Sequence, residues 1–516
     1  MSKVMSVQDA VAMVKDGDTV ATCMAGNIGN ARWLIKHLED RFLETGSPKG
    51  LTKVSGCGHI GDAHFAHPGY VTKFIGAHPG PCRPMLTMIN NCETEGYGMP
   101  QGVMQQLFRA TAAKQPGIFT KIGQRTYVDP RLEGGRYNAI SKDTLSEIVT
   151  IDGEDWIFYK AIPIDVALLR GGIADEFGNI CIDSEAIKME ILEIALAVRA
   201  CNGKVIFQVK NVVAGGSIKP KDVCVPAELV DAVVVAEDFP TYHLQTNVTL
   251  HNPFFSGELK APKSAAPKPP EVLDPREVLC RRAVYELSDG KIINVGLGVG
   301  VGVCNVAAYE DMTDRVTFTL EMGAFGGTPV PMPDFGAVLN PVSYISHPSM
   351  FDFYHAGGLD IAFVGVAEID KEGSVNVSRY GELTCGRGQG GFIDITQCAK
   401  KVVFCTYFRA GGLKATIADG KLTIDEEGRE TKFVDAVNQY TFSGPLAMEN
   451  GQEIVFVTER AVFKLEKEGI TLTEIAPGID LEKDILSKME FKPIISKDLK
   501  LMDERIFVPG RMGCFD

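Results

Sequence analysis

The chain has 516 residues, too many for one hydrophobic core, so two or more domains are expected. Its 45% hydrophobic and 23% charged content is ordinary for a globular protein, and no apolar run reaches the roughly 20 residues of a membrane span. A formal charge of −14 argues against nucleic-acid binding and leaves any anion site to local N–H groups or a few Lys and Arg.

The first stretch, MSKVMSVQDAVAMVKDGDTV, lacks the apolar core of a signal peptide, which points to the cytoplasm. Apolar residues at helical spacing predict a helix over 7–15, ended by Asp16-Gly17. A buried strand follows over 19–24, then the loop AGNIGN (25–30) and a helix over 31–39. Strand, glycine loop and helix could cradle a phosphate, although neither G-x-G-x-x-G nor a Walker lysine is present. Cys57, His59, His64 and His67 lie close together, but their spacing fits no zinc signature, so they read as loop or core residues and no metal is expected. The thirteen cysteines include no C-x-x-C and read as reduced core thiols. G-x-S-x-G is absent, which removes the usual serine hydrolase.

Residues 277–302 repeat the opening pattern: a helix, Asp289-Gly290, an apolar strand and a glycine loop. DVALLRGGIADEFGN (165–179) matches DIAFVGVAEIDKEGS (360–374), with Asp175 and Asp370 equivalent, and KVIFQVKNVVAGG (204–216) resembles KVVFCTYFRAGG (401–412). Three matches in one order indicate two homologous halves, the first with a long insertion somewhere within 55–150. The Pro/Ala/Lys-rich stretch after Gly257 reads as an extended linker. The predicted organisation is therefore 1–256, a linker over 257–275, and 276–516, each half an open α/β domain with mixed, largely parallel sheets covered by helices. In the second half strands are expected at 316–320, 343–346, 359–366 and 402–407; FDFYHAGG (351–358) reads as a loop; 470–516 has no assigned place.

One window in that half stands out, VTFTLEMGAFGG (316–327). A strand rich in β-branched residues ends in Glu321, at the sheet edge where α/β proteins bind ligands. Gly323, Gly326 and Gly327 follow, where a substrate could approach bare N–H groups. Further glycine loops at 26–29, 296–302 and 386–391 suggest a ligand crevice between the halves.

Several stretches resemble the family I coenzyme A transferases, most closely the long single-chain propionate/acetate type: VKDGDTVATCMAGNIGNA (14–31), RFLETG (41–46), QGV (101–103), KQPGIFTKIGQRTYVDPRLEGG (114–135), MFDFYHAGGLDIAF (350–363), GGFIDITQ (390–397), ITLTEIAPGIDLEKDIL (470–486) and LKLMDERIF (499–507). The likeness spans nearly the whole chain. It implies two domains of the isomerase/CoA-transferase type, a homo-oligomer (a tetramer by resemblance), and exchange of CoA between short-chain acids such as acetate or propionate, with CoA a substrate and no cofactor. Glu321 occupies the family's nucleophile position, in strand–Glu–x–Gly–x–x–Gly–Gly. By the same analogy, Gly298, Val299, Gly300, Val301 and Gly302, with Gly388, Gly390 and Gly391, are the expected oxyanion and CoA contacts. Met322, Met24-Ala25 and the longer GRGQGG loop differ from the family's usual forms and are expected to border the acyl group. Arg387, Lys400 and Lys401 are candidates for the CoA phosphates, with solvated surface charges as the plainer reading. An acyl-CoA hydrolase on the same scaffold, or a CoA-binding regulator, are the alternatives.

Overall fold

The computed structural model describes residues 2–23, 28–58, 60–262, 267–381, 386 and 388–515. The first half is built on a seven-stranded, all-parallel sheet. Its strands are β1 (Thr19–Thr22), β2 (Leu51–Ser55), β3 (Val71–Gly76), β4 (Glu95–Gly98), β5 (Val166–Arg170), β6 (Lys204–Val209) and β7 (Ala232–Val235), in the spatial order β7-β6-β5-β1-β2-β3-β4. The central strands are apolar on both faces, because helices cover both. Helix α1 (Val7–Val11) starts at Ser6, whose hydroxyl accepts from the Asp9 N–H; it ends earlier than its periodicity predicts. Helix α2 (Arg32–Thr45) runs beyond the predicted 39 and stops at left-handed Gly46. The expected insertion holds β3, β4 and most of a separate three-stranded antiparallel sheet made by Gly117–Thr120, Ser146–Ile151 and Glu154–Lys160, which runs ten residues past the predicted limit of 150.

The second half carries β8 (Ile292–Val295), β9 (Thr317–Leu320), β10 (Ala324–Phe325), β11 (Ser343–Tyr344), β12 (Ile361–Gly365) and β13 (Lys401–Cys405). β14 (Glu453–Val457) and β15 (Ala461–Glu466), followed by β16 (Gly469–Ile475) and β17 (Ile494–Leu501) from the unassigned 470–516 stretch, extend the same sheet to ten strands. The order β13-β12-β8-β9 repeats β6-β5-β1-β2, all parallel. The duplication reaches single turns. Asp175 Oδ1 accepts from the N–H groups of Phe177 and Asn179 at 3.0 and 2.9 Å. Asp370 Oδ1 accepts from Glu372 and Ser374 at the same two distances, 3.0 and 2.9 Å.

Between the halves, residues 263–266 lie outside the described residues. Just before them the chain is fastened to the second half: Ala261 N–H donates to Asn340 Oδ1 at 2.7 Å, and Asn340 Nδ2 donates back to Ala261 O at 3.0 Å. Buried apolar residues of both halves form one continuous core. Among the described residues, no helix is long and apolar enough to cross a membrane.

Three further helices place the site. Helix α3 (Gln101–Ala112) is buried almost all round and keeps Gln101, Gly102 and Gln105 from solvent; α4 (Ile191–Ala200) begins after Glu190 and packs along it. On the other side α3 meets two helices of the second half. A helix buried on every face is an interior strut, and here it joins the two halves.

Candidate active site

Glu321 is the first residue after β9, at the carboxyl end of the second sheet. The strand forms because Thr317, Phe318 and Thr319 suit a pleated, half-buried surface. The glycines behind Glu321 serve the backbone. Gly323 N–H donates to Leu320 O at 3.0 Å and Gly326 N–H to Phe318 O at 2.7 Å, turning the chain back into antiparallel β10. Gly323 has φ 108°, and a Cβ there would stand 2.1 Å from Ile345 O. The expected bare N–H cradle at 323–327 is thus a tight turn whose N–H groups at 323 and 326 are already used. Met322, expected to border the acyl group, is buried in the core.

The Glu321 Oε2 atom is shielded from solvent and has no hydrogen-bond partner among the described residues. Burial holds its carboxyl above the ordinary Glu range; its own N–H and the amide of Asn294 act in the opposite sense, as a positive charge on the facing His347 would. Asn294, on β8, is fixed by donating to Tyr354 Oη at 3.1 Å, and that hydroxyl shares a 2.8 Å hydrogen bond with Thr319 Oγ1.

Tyr354 and His347 belong to α7 (His347–His355), where the sequence reads as a loop from 351 onward. Ser346 caps this helix by accepting from the Ser349 N–H, and Pro348 sits in its first turn. That Ser-x-Pro was the available signal, masked by the aromatic and glycine run that follows. His347 is fully buried between the halves. Its Nδ1 lies 2.9 Å from Glu190 Oε2, and its Nε2 lies 2.8 Å from Gln101 Nε2. Glu190 and Gln101 both come from the first half. Nothing in the spacing of these three residues singles them out.

Beside them, α8 (Phe392–Cys398) follows the 386–391 loop. The loop docks on the first half: Gly390 N–H donates to Ala77 O at 3.1 Å, Gln101 N–H donates to Gly390 O at 3.3 Å, and Gln389 Nε2 donates to Met99 O at 2.5 Å. A Cβ on Gly388 would lie 2.9 Å from His78 Cα, so the loop backbone rests directly on 77–79. The Gly390 N–H is therefore spent on Ala77, whereas no backbone acceptor takes the N–H of Gly388 or Gly391 among the described residues.

Helix α6 (Val299–Tyr309) opens after Gly298. Its Gly/Val-rich start has poor helix propensity and is held by burying Val301, Val303 and Cys304. Gly298 and Val299 are half-buried and Gly300 is buried; they open the first turn, whose N–H groups have no helical partner. Val301 is buried in the core. A Cβ on Gly302 would come within 2.4 Å of Cys280 Sγ, on helix α5 (Pro275–Val284). The side of Gly302 is thus a packing contact.

The lysine candidates are elsewhere. Lys400 and Lys401 stand at the amino end of β13, the opposite edge from Glu321. Lys400 pairs with Asp360 at 2.8 Å, and Lys401 bridges Glu286 at 2.6 Å and Glu453 at 3.0 Å. Arg387, His59 and Met24-Ala25 lie outside the described residues. His64 Nδ1 and His67 Nε2 each hold Glu39 at 2.7 Å, and no group of three or more metal-ligating side chains occurs among the described residues.

The repeat also explains why one carboxylate stands here and not two. Thr19 pairs with Thr52 as Ile292 pairs with Thr317, which makes Gly56 the counterpart of Glu321. A Cβ on Gly56 would meet Gln105 Nε2 at 2.4 Å and Glu190 Oε1 at 3.3 Å. Side chains from α3 and the start of α4 fill the space a second carboxylate would need.

A coenzyme A transferase family model matches residues 4–236. The chain is 43% identical over 516 residues to a caffeate CoA-transferase of Acetobacterium woodii, covering 98% of each chain. It is 40% identical to the acetate CoA-transferase YdiF of Escherichia coli O157:H7, covering 99% of this chain and 96% of that one. The crystal structure of YdiF as a thioester complex with CoA superposes with a TM-score of 0.92 at 38% identity, over 99% of this chain and 97% of that one.

Proposed function

The chain belongs to the coenzyme A transferase family and is an enzyme of that type, and on that premise we propose that Glu321 is its nucleophile in a ping-pong exchange of CoA between carboxylic acids. The observation that carries this reading is the Glu321 carboxylate: a group at a strand end, with one shielded oxygen that nothing among the described residues engages. An undersolvated carboxylate is a better nucleophile than a hydrated one.

The steps balance without ATP. Glu321 attacks the acyl-CoA carbonyl, the C–S bond breaks, and an acyl-glutamyl anhydride forms with CoA thiolate as leaving group. The thiolate then attacks the glutamyl carbonyl, releasing the first acid and leaving a glutamyl-CoA thioester. A second carboxylate attacks that thioester, and the sequence runs in reverse. Each tetrahedral intermediate places charge on an oxygen, and losing one N–H donor for it costs about 3–4 kcal/mol. Gly388 and Gly391 offer N–H groups for this role, and the first turn of α6 from Gly298 to Val301 offers others to an anionic part of CoA. Short acids such as acetate or propionate are the proposed acyl groups. The names of the relatives also put an aromatic acid of the caffeate type on the panel to assay. Assembly into a homo-oligomer belongs to the same reading, and sedimentation velocity checks it.

The test is intact mass after incubation with acetyl-CoA, propionyl-CoA or caffeoyl-CoA, then peptide mapping. A thioester-linked CoA on the peptide holding Glu321, absent in Glu321→Ala, is expected, together with turnover that requires an acceptor acid. An adduct on another residue would overturn the assignment of Glu321. An adduct that water resolves as fast as acids do would make the enzyme a hydrolase.

A further inference from the structure

We propose that His347 is a positioning residue for the transfer reaction: a neutral, Nδ1-protonated imidazole that links Glu190 to Gln101 across the two halves and, through Gln101, holds the Gly390 loop in place. The proposal rests on the reading of Glu321 as nucleophile.

The geometry is a continuous line of contacts. Glu190 Oε1 reaches over Gly56, the first half's counterpart of the Glu321 position. Glu190 Oε2 accepts from His347 Nδ1–H at 2.9 Å. With its proton on Nδ1, His347 presents a lone pair at Nε2, which accepts from Gln101 Nε2–H at 2.8 Å. The same Gln101 donates its backbone N–H to Gly390 O. One residue thus ties the imidazole to the loop that offers oxyanion donors. His347, Glu190 and Gln101 are 0, 0 and 2% exposed, so water does not compete for these contacts.

The neutral tautomer matters to the chemistry. An imidazolium facing Glu321 would hold its carboxylate as a stable ion pair and blunt its attack. A neutral ring, its Nδ1–H taken by Glu190, leaves that carboxylate undersolvated, and through Gln101 it fixes the Gly390 backbone. Small misplacements of this kind can cost about a hundredfold in rate. Because Glu190 and Gln101 come from one half and His347 from the other, the arrangement is complete only when the halves are docked.

The test compares wild type with His347→Asn, which keeps a donor for Glu190 but cannot reach Gln101, His347→Phe, which drops both contacts, and Gln101→Leu. Expected for His347→Asn and His347→Phe is a kcat loss of roughly tenfold to a hundredfold, a KM for acyl-CoA changed less than about threefold, and slower formation of the adduct on the same Glu321 peptide. The double variant His347→Asn/Gln101→Leu should lose little more than the worse single one, the signature of two residues acting as a unit. Nitrogen-15 NMR of histidine-labelled wild type, with His347 assigned by its loss in His347→Asn, should show one neutral Nδ1–H tautomer at neutral pH.

A folded His347→Asn enzyme with kcat within about twofold of wild type would overturn the proposal. So would fully multiplicative losses in the double variant, or an imidazolium or Nε2–H signal, which would mean that the Gln101 amide is turned the other way. Should His347→Phe fail to fold, His347→Asn and the wild-type spectrum still decide. A wild-type enzyme that forms no adduct on Glu321 would instead overturn the nucleophile assignment, a different result from any of these.

Discussion

At the scale of single residues, the fold works against the charge of Glu321. In the unfolded chain this carboxyl ionises at an ordinary pKa of about 4.3. In the folded protein burial raises that value, so the folded state binds more protons between the two. Stability is therefore lost as pH rises from the unfolded value through the folded one. Glu321→Gln removes the cost. It should abolish transfer yet raise the melting temperature at pH 7, and the gap to wild type should close as the pH falls below about 4. A Glu321→Gln protein that melts below wild type at neutral pH would mean that the fold does not strain this carboxylate. Glu321 was legible in the sequence because its context is local: a strand, a carboxylate and a turn within one window. His347, Glu190 and Gln101 were not, since their contacts join residues 246 and 157 positions apart. Only tertiary structure makes such pairs neighbours.

At the scale of elements, the glycines divide by what their missing side chain permits. Gly302 lets α6 lie against α5, and Gly302→Ala would drive a methyl into Cys280 Sγ. Overpacking of this kind costs about 1–3 kcal/mol, more than the gain of about 0.5–1 kcal/mol that alanine brings to a helix interior. Urea denaturation should show net destabilisation, and adding Cys280→Ala should restore most of it. A Gly302→Ala protein as stable as wild type would show that α5 shifts freely. The turn after Glu321 teaches the same lesson: a glycine cluster next to a carboxylate resembles a ligand cradle in sequence, yet Gly323 and Gly326 spend their N–H groups on the turn. Helix α7 shows the converse error. Its cap at Ser346 and its proline are ordinary start signals, but Phe351 packs against Gly102 on a helix of the other half, a stabilisation that local propensity does not contain.

For the whole molecule, α3 is the shared element. Asp394 on α8, fully buried, accepts from Gly102 N–H at 3.1 Å and from His355 Nε2 at 3.0 Å. Arg109 pairs with Asp352, and Gln106 donates to His355 Nδ1 at 3.0 Å. Asp394→Ala would strand buried donors on both sides of the interface, at a cost of about 1–3 kcal/mol. Both tryptophans, Trp33 and Trp156, lie in the first half, so their fluorescence reports that half alone, whereas far-ultraviolet circular dichroism reports both. In wild type the two urea transitions should coincide. In Asp394→Ala they should separate, because the strut no longer couples the halves. Coincident transitions in the variant would place the coupling elsewhere.

The sequence alone determined what is encoded locally or repeated. Alternating strands and helices, three matched segments in the same order and the Asp-Gly turns specify two α/β halves, and the strand order β13-β12-β8-β9 against β6-β5-β1-β2 carries that repeat into space. The placement of Glu321 at a strand end followed from the same local logic. Tertiary structure decided what depends on distance across the chain: that the C-terminal strands join the second sheet, that Lys400 and Lys401 stand at the edge away from Glu321, and that Glu190 and Gln101 of the first half meet His347 of the second while Gln105 and Glu190 fill the counterpart of Glu321 at Gly56. Such contacts are fixed by close packing of segments hundreds of residues apart, which leaves no periodicity in the sequence to read.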